Sequence, residues 1–429
     1  MKIGPALWCG LALTLTLLGC KDQDKVPVVD ANDLVSFLQP TSWTKVKQAK
    51  QEVAFWSARL DVDSSGLGDL TPLANAYTRL FERTGEYAHL RAAERLLSRA
   101  YSIAARSRDG HGRNLAHNLI TQHRFREAEV LLDTIYSKPH DQNGTELMRF
   151  DVYLERGKVD SAYANLSRIK DLGDLNYLLR LARWMDQQGD LDAATARMEK
   201  VKRVVDSRNL PGLKAWAYPN LADFYSHAGR LTEAYALYLQ TLALESDNPH
   251  AWKGIAWLAY SADGDSSLAT TILDSLESQY RSPSNTLLRL DMARHQGDMD
   301  RVRSLESLFL EQSGESESGG LYRMDRAYVL MDGSPALSLE LALQEWENRK
   351  TPATAALLSH ALFSNDRQEE ALELLRSYRN KTEEPLVLLR MAEVFAAMDM
   401  EDEVAALKDQ LSDAAYELGP HRYELLMAL

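Results

Sequence analysis

The sequence predicts an all-α solenoid built from about ten stacked helix-turn-helix units. Composition is the first observation behind this. Of 429 residues, 45% are hydrophobic and 26% charged, while Gly (22) and Pro (13) are sparse. Such a chain can bury a core, and it is too poor in turn residues for an all-β fold of many short strands. The second observation is periodic. A small residue with aliphatic or aromatic neighbours recurs at Ala93, Ala128, Ala162, Ala194, Ala234, Ala269, Val302, Ser338, Ala371 and Val404. The intervals are 35, 34, 32, 40, 35, 33, 36, 33 and 33 residues, the signature of a repeat array. The third is the local pattern around each anchor, which reads as two amphipathic helices separated by a tight turn.

The unit at residues 215–248 shows that pattern most fully. Leu221, Ala222 and Tyr225 share one helical stripe, Gly229 ends that helix by taking φ > 0, and Ala234 and Tyr238 share a face of the next. Small side chains at Ala222 and Ala234 let the two helix axes approach closely. The same turn appears as Gly157-Lys158-Val159, Gly189-Asp190-Leu191 and Gly297-Asp298-Met299, with Asn365 in place of glycine before Asp366-Arg367. The next unit opens 34 residues on with Pro249-His250-Ala251-Trp252. Aromatic, Leu-small, Tyr, Gly, Ala and aromatic positions in this order resemble the tetratricopeptide (TPR) repeat. The resemblance implies a right-handed superhelix of helix pairs over residues 72–415.

The remaining elements follow from the N-terminus. Lys2 precedes an apolar run of about sixteen residues, too short for a comfortable membrane span and typical of an export signal over residues 1–19. It closes with Leu17-Leu18-Gly19-Cys20, which resembles the lipobox of bacterial lipoproteins. The resemblance implies cleavage before Cys20, diacylglycerol on its thiol and acylation of the new amine. Cys9 would leave with the signal, so Cys20 would be the only cysteine of the exported chain. Lys21-Asp22-Gln23-Asp24-Lys25 lacks the inner-membrane retention Asp and is similar to surface-export signals of Bacteroidetes lipoproteins. The expected location is the outer membrane.

Residues 20–42 read as a tether and 43–71 as an N-terminal capping helix and loop. In the latter, Trp43, Val46, Ala49, Val53, Trp56 and Leu60 keep helical spacing. Asp61, Asp63, Ser65, Gly66 and Asp69 follow the first part of a calcium-loop pattern. Pro72 stands where a bidentate Glu is needed, so the segment reads as a polar loop with Thr71 and Pro72 opening the next helix. The long interval between Ala194 and Ala234 predicts an extended loop over Val204–Gly212. Glu311–Gly320 is acidic and of low complexity, and reads as a solvated inter-repeat loop. Residues 416–429 read as a C-terminal cap.

The sequence offers no nucleotide-binding loop, His-Glu-x-x-His helix or nucleophile elbow. His111, His117 and His123 are six apart, which turns successive members by about 240° and keeps them off a shared helical face. With net charge −13 and no basic stripe, a nucleic-acid partner is excluded. No catalytic residue, metal or cofactor is expected. The TPR resemblance directs attention instead to the concave groove, faced by positions two, five, nine, twelve and thirteen of each unit. That count gives Trp216, Asp223 and His227, then Lys253, Trp257 and Tyr260, with Arg113 and His117 in an earlier unit. The expectation is a lipid-anchored scaffold that holds a protein or peptide beside the outer membrane through these residues. The alternative is a glycan- or nutrient-binding accessory lipoprotein of an outer-membrane uptake system, with Trp216, Trp252 or Trp257 as aromatic platforms.

Overall fold

A computed structural model of the chain describes residues 26–38, 44–60, 66–106, 108–136 and 142–429. The export signal, Cys20 and Asp61–Ser65 lie outside the described residues. Two elements precede the array, α1 (Ala31–Leu34) and α2 (Lys45–Arg59). Five helix pairs follow: α3 (Leu67–Thr84) with α4 (Tyr87–Ile103), α5 (Arg108–Thr121) with α6 (Phe125–Tyr136), α7 (Gln142–Glu155) with α8 (Val159–Arg168), α9 (Leu175–Gln187) with α10 (Leu191–Arg208), and α11 (Pro211–His227) with α12 (Leu231–Leu244). The sixth joins α13 (Pro249–Trp257), prolonged by a π-helical turn over Leu258–Ala262, to α14 (Ser266–Glu277). The seventh is α15 (Pro283–His295) with α16 (Met299–Gln312), after which comes the short α17 (Glu315–Ser318). The last three are α18 (Arg323–Leu330) with α19 (Pro335–Asn348), α20 (Pro352–Phe363) with α21 (Gln368–Tyr378), and α22 (Pro385–Ala397) with α23 (Glu401–Gln410). A final helix, α24 (Ala415–Ala428), closes the fold. The molecule is an all-α, TPR-like solenoid.

All ten anchors lie on second helices and are buried. Successive first helices pack directly on one another (α5 on α7, α7 on α9, α11 on α13, α18 on α20, α20 on α22), and no successive second helices approach as closely among the described residues. The first helices therefore form the inner, concave layer.

The turn within eight of the ten pairs has one chemistry. Five residues before the anchor, the backbone takes positive φ at His123, Gly157, Gly189, Gly229, Gly264, Gly297, Asp366 and Asp399. In seven of these the next residue's N–H reaches back to the carbonyl five positions earlier, as from Arg230 to Tyr225 (2.8 Å), Lys158 to Tyr153 (2.8 Å) and Arg367 to Leu362 (3.0 Å), and after the π-turn Asp265 reaches six back to Ala259 (2.8 Å). This is the Schellman closure that satisfies orphan helix carbonyls. The left-handed residue of the ninth pair is Asp366, not the expected Asn365. Asn365 instead donates from Nδ2 to the carbonyls of Ala361 (2.7 Å) and Pro335 (2.9 Å).

Several boundaries depart from expectation. Helix α3 begins at Leu67, so Pro72 sits in its second turn rather than at N1. There its missing N–H leaves the Gly68 carbonyl without its helical donor, so the cost is one bond. Residues Val204–Arg208 continue α10, because Val205 is apolar and fully buried. Only Asn209, at φ 48°, and Leu210 separate α10 from α11. The 311–320 segment is not a solvated loop. It includes α17, and Ser313 and Ser318 are buried, with Ser318 Oγ donating to Ser313 O (2.8 Å). Nor is the whole of 20–42 a free tether. The Asp263 carboxylate accepts from the N–H groups of Val28 (2.8 Å) and Val29 (2.9 Å), and Val29 and Leu34 are buried in the core of the fourth to sixth pairs.

The solenoid also closes on itself. The turn after α3 meets the start of the seventh pair, where Arg281 N–H donates to Thr84 O (2.8 Å). The turn after α7 meets the start of the ninth, with Arg349 Nη1 3.3 Å from Glu155 and the Lys350 carbonyl directly against Gly157. Gly189 faces Glu383 at the start of the tenth, and His227 faces Glu417 in α24. Each contact spans six pairs, so consecutive superhelical turns rest edge to edge.

Candidate functional site

Three first helices, α11, α13 and α15, present their inner faces side by side, and α24 lies across them. Together they enclose a cleft of about 480 Å³. Pro249 at N1 and the Asn248 side chain, accepting from Ala251 N–H (3.1 Å), start α13. Its last residues widen into the π-turn, whose extra residue turns Tyr260 inward and brings Ser261 Oγ to the Tyr416 carbonyl (2.5 Å). Helix α24 reaches this position through a bend at Gly419 (φ 74°, ψ 166°), a conformation open only to glycine. A Cβ on Gly419 would lie 2.8 Å from the Trp257 ring, so the same glycine seats α24 on that tryptophan.

Four of the expected groove residues meet here: Asp223, His227, Lys253 and Trp257 all line the cleft. The Asp223 carboxylate accepts from Tyr238 Oη (2.6 Å) and lies 2.7 Å from His250 Nε2. Tyr238 comes from the second helix α12 and reaches Asp223 only past Gly254, where a Cβ would sit 2.7 Å from its hydroxyl. Burial and the adjacent Asp223 hold the Tyr238 hydroxyl well above the usual phenol range. His227 Nδ1 lies 2.9 Å from Glu417, and this hydrogen bond raises the imidazole pKa against the opposing effect of burial. Burial lowers the Lys253 pKa, with its ammonium 5.7 Å from the Tyr280 ring centroid.

The other expected residues fall elsewhere. Trp216 is 43% exposed on α11, seven residues before Asp223, and does not line the cleft. Tyr260 is 0% exposed and cannot face a partner, since its hydroxyl donates to Asp291 Oδ2 (3.1 Å) beneath the surface. Trp252 is also fully buried, which removes it as a platform. Arg113 and His117 lie on α5 of the second pair, where Arg113 Nη1 is 3.4 Å from Thr145 Oγ1.

The cleft also uses His250, Leu287, Leu288, Asp291, Tyr416, Glu417 and Arg422. Part of this was within reach of the sequence. His250 is position two of the sixth unit, and the same count started at Pro283 gives Leu287, Asp291 and His295. No repeat count leads to Tyr416, Glu417 or Arg422, which arrive from a helix outside the array. Chemically, the cleft offers alternating charges, an aromatic wall and two leucines. Among the described residues no group of three or more His, Cys, Asp or Glu is placed to hold a metal ion.

No protein-family model matches the chain, and no curated protein matches it in sequence. Solved structures similar in fold include a tetratricopeptide repeat protein from Parabacteroides merdae, at 14% identity over 62% of this chain and 92% of that one, with a TM-score of 0.39. The Cut9–Hcn1 hetero-tetramer of the APC/C is similar at 13% identity over 89% and 93%, with a TM-score of 0.34. Yeast Tom70 is similar at 11% identity over 89% and 91%, also with a TM-score of 0.34.

Proposed function

We propose that this protein is a lipid-anchored scaffold that holds a polypeptide partner at the outer membrane, with no chemistry of its own. The observation that carries the reading is the cleft on the inner layer, where Asp223, His227, Lys253 and Trp257 converge on a concave surface. A mixed-charge site with an aromatic wall suits backbone and side chains of a peptide, in which polar groups fix orientation and apolar ones supply affinity. Anchoring rests on Leu17-Leu18-Gly19-Cys20. Two or more acyl chains on Cys20 would hold the chain stably on a bilayer, each buried methylene contributing about 0.8 kcal/mol.

Two experiments test this. Replacement Cys20→Ser should move the protein from the membrane fraction to the soluble fraction, and unchanged fractionation would refute the anchor. A photoreactive residue in place of Trp216, irradiated in native membranes and read by mass spectrometry, should capture one polypeptide. Glycan adducts alone would move the protein to nutrient capture, and lipid adducts or none would refute the scaffold role of this face.

A further inference from the structure

The cleft contains four cationic or protonatable side chains: His227, His250, Lys253 and Arg422. It contains three carboxylates, and each is committed. Asp223 holds His250 at 2.7 Å, Glu417 holds His227 at 2.9 Å, and Asp291 holds Arg422 at 3.1 Å. Lys253 is the remaining cation and forms no ion pair among the described residues. Its ammonium lies near the Tyr280 ring, and Asp223, the carboxylate whose charge acts on it, is already engaged by Tyr238 and His250. Removing an ammonium from water without an anion beside it is costly. Trp257, Leu287 and Leu288 line the same cleft and offer apolar surface close to that charge.

Resting on the scaffold reading above, we propose that the cleft binds an acidic side chain of the partner polypeptide. Lys253 is its counter-ion, and an adjacent apolar side chain packs against Trp257, Leu287 and Leu288. The pairing gives the Lys253 ammonium the anion it lacks, while Asp223, Glu417 and Asp291 keep the partners they already hold. A glutamine in the partner's place would leave the ammonium unpaired in a low-dielectric site, so acid and amide are told apart by charge rather than by shape. Burial supports this, because it disfavours the Lys253 ammonium until an anion arrives.

The test uses the full chain with its lysines reductively ¹³C-dimethylated, the Lys253 signal being assigned by its loss in Lys253→Gln. Three probes are compared: the blocked tripeptides Leu-Glu-Leu and Leu-Gln-Leu, and free glutarate. Leu-Glu-Leu should raise the Lys253 pKa by at least one unit, a tenfold change, and should bind at least tenfold more tightly than Leu-Gln-Leu. Lys253→Gln should abolish that preference, and Lys253→Arg should retain it in part. Equal binding of the two peptides, or a Lys253 titration that neither moves, overturns the proposal. An equal response to glutarate overturns the polypeptide source and assigns the site to a free carboxylate. Photocrosslinking separates this inference from the scaffold reading. If Lys253→Gln still captures the partner undiminished, the acidic-residue site fails and the scaffold stands. If Leu-Glu-Leu binds as stated but no polypeptide is captured in membranes, the scaffold fails and the site stands.

Discussion

Gly157 and Gly229 occupy the same position in their repeats and take nearly the same backbone, φ 71° and φ 70°. Their surroundings differ. A Cβ on Gly229 would meet nothing within 4 Å, whereas one on Gly157 would lie 2.1 Å from the Lys350 carbonyl oxygen and 3.0 Å from its carbon. Alanine at either site forces a side chain into the left-handed region, costing about 1–2 kcal/mol, partly offset by about 0.4–1 kcal/mol of unfolded-state entropy. Gly229→Ala should therefore destabilise by about 1 kcal/mol. Gly157→Ala must also push the seam apart by more than an ångström, and overpacking of this kind adds about 1–3 kcal/mol. Urea midpoints compared at equal slope give the difference. Hydrogen exchange of the Arg349–Thr351 amides locates it, since only Gly157→Ala should accelerate them. If the two variants agree within about 0.5 kcal/mol and the Arg349–Thr351 amides exchange alike, the closed superhelix is refuted.

Three further perturbations probe other parts of the molecule. Burial pushes the Asp325 carboxyl up to about 6, against the pull of Arg422, Arg349 and Arg390. A raised carboxyl contributes fully below its unfolded value near 4 and loses that contribution as pH rises through 6. Asp325→Asn should thus gain stability over wild type between pH 4 and 7, levelling off at about 1–3 kcal/mol, and thermal melts showing a flat difference would contradict this. Asp263→Ala removes the acceptor of two backbone N–H groups at Val28 and Val29. Bonds to a charged acceptor contribute about 1.5–3 kcal/mol, so exchange at residues 28–38 should accelerate at least tenfold while the array is unchanged. Glu345 is buried between Arg349 (2.6 Å) and Arg323 (2.9 Å). Glu345→Ala strands the Arg323 guanidinium and leaves Arg349 with Glu155 alone, so it should cost about 3–5 kcal/mol, and an unchanged melting temperature would show the triad to be dispensable.

Helix identity, pair number and the buried anchors were legible in the sequence because they depend on contacts within about 34 residues. An Ala or Val at the crossing point of two helices, and a left-handed residue five positions before it, write a local period into the chain. Even the turns without glycine follow it, since His123, Asp366 and Asp399 belong to the residue types that tolerate positive φ. Asn365 misled because asparagine tolerates that conformation too, and only the hydrogen-bond register tells it from Asp366. The candidate site was half legible. Asp223, His227, Lys253 and Trp257 sit at groove-facing register positions, and the same count carried on would have added Leu287 and Asp291.

What only the tertiary structure decided is what lies opposite each of these positions. Pairing of Glu417 with His227, and of Arg422 with Asp291, joins segments more than 130 residues apart, as does the Gly157–Lys350 seam. Those contacts depend on the small rotation between neighbouring pairs, accumulated over four to six of them until one superhelical turn meets the next. Packing at every interface contributes to that sum, so no single residue or motif encodes it. The repeat sets which side chains face inward, and the accumulated twist sets which of them acquire partners and which, as at Lys253, are left with a charge unanswered.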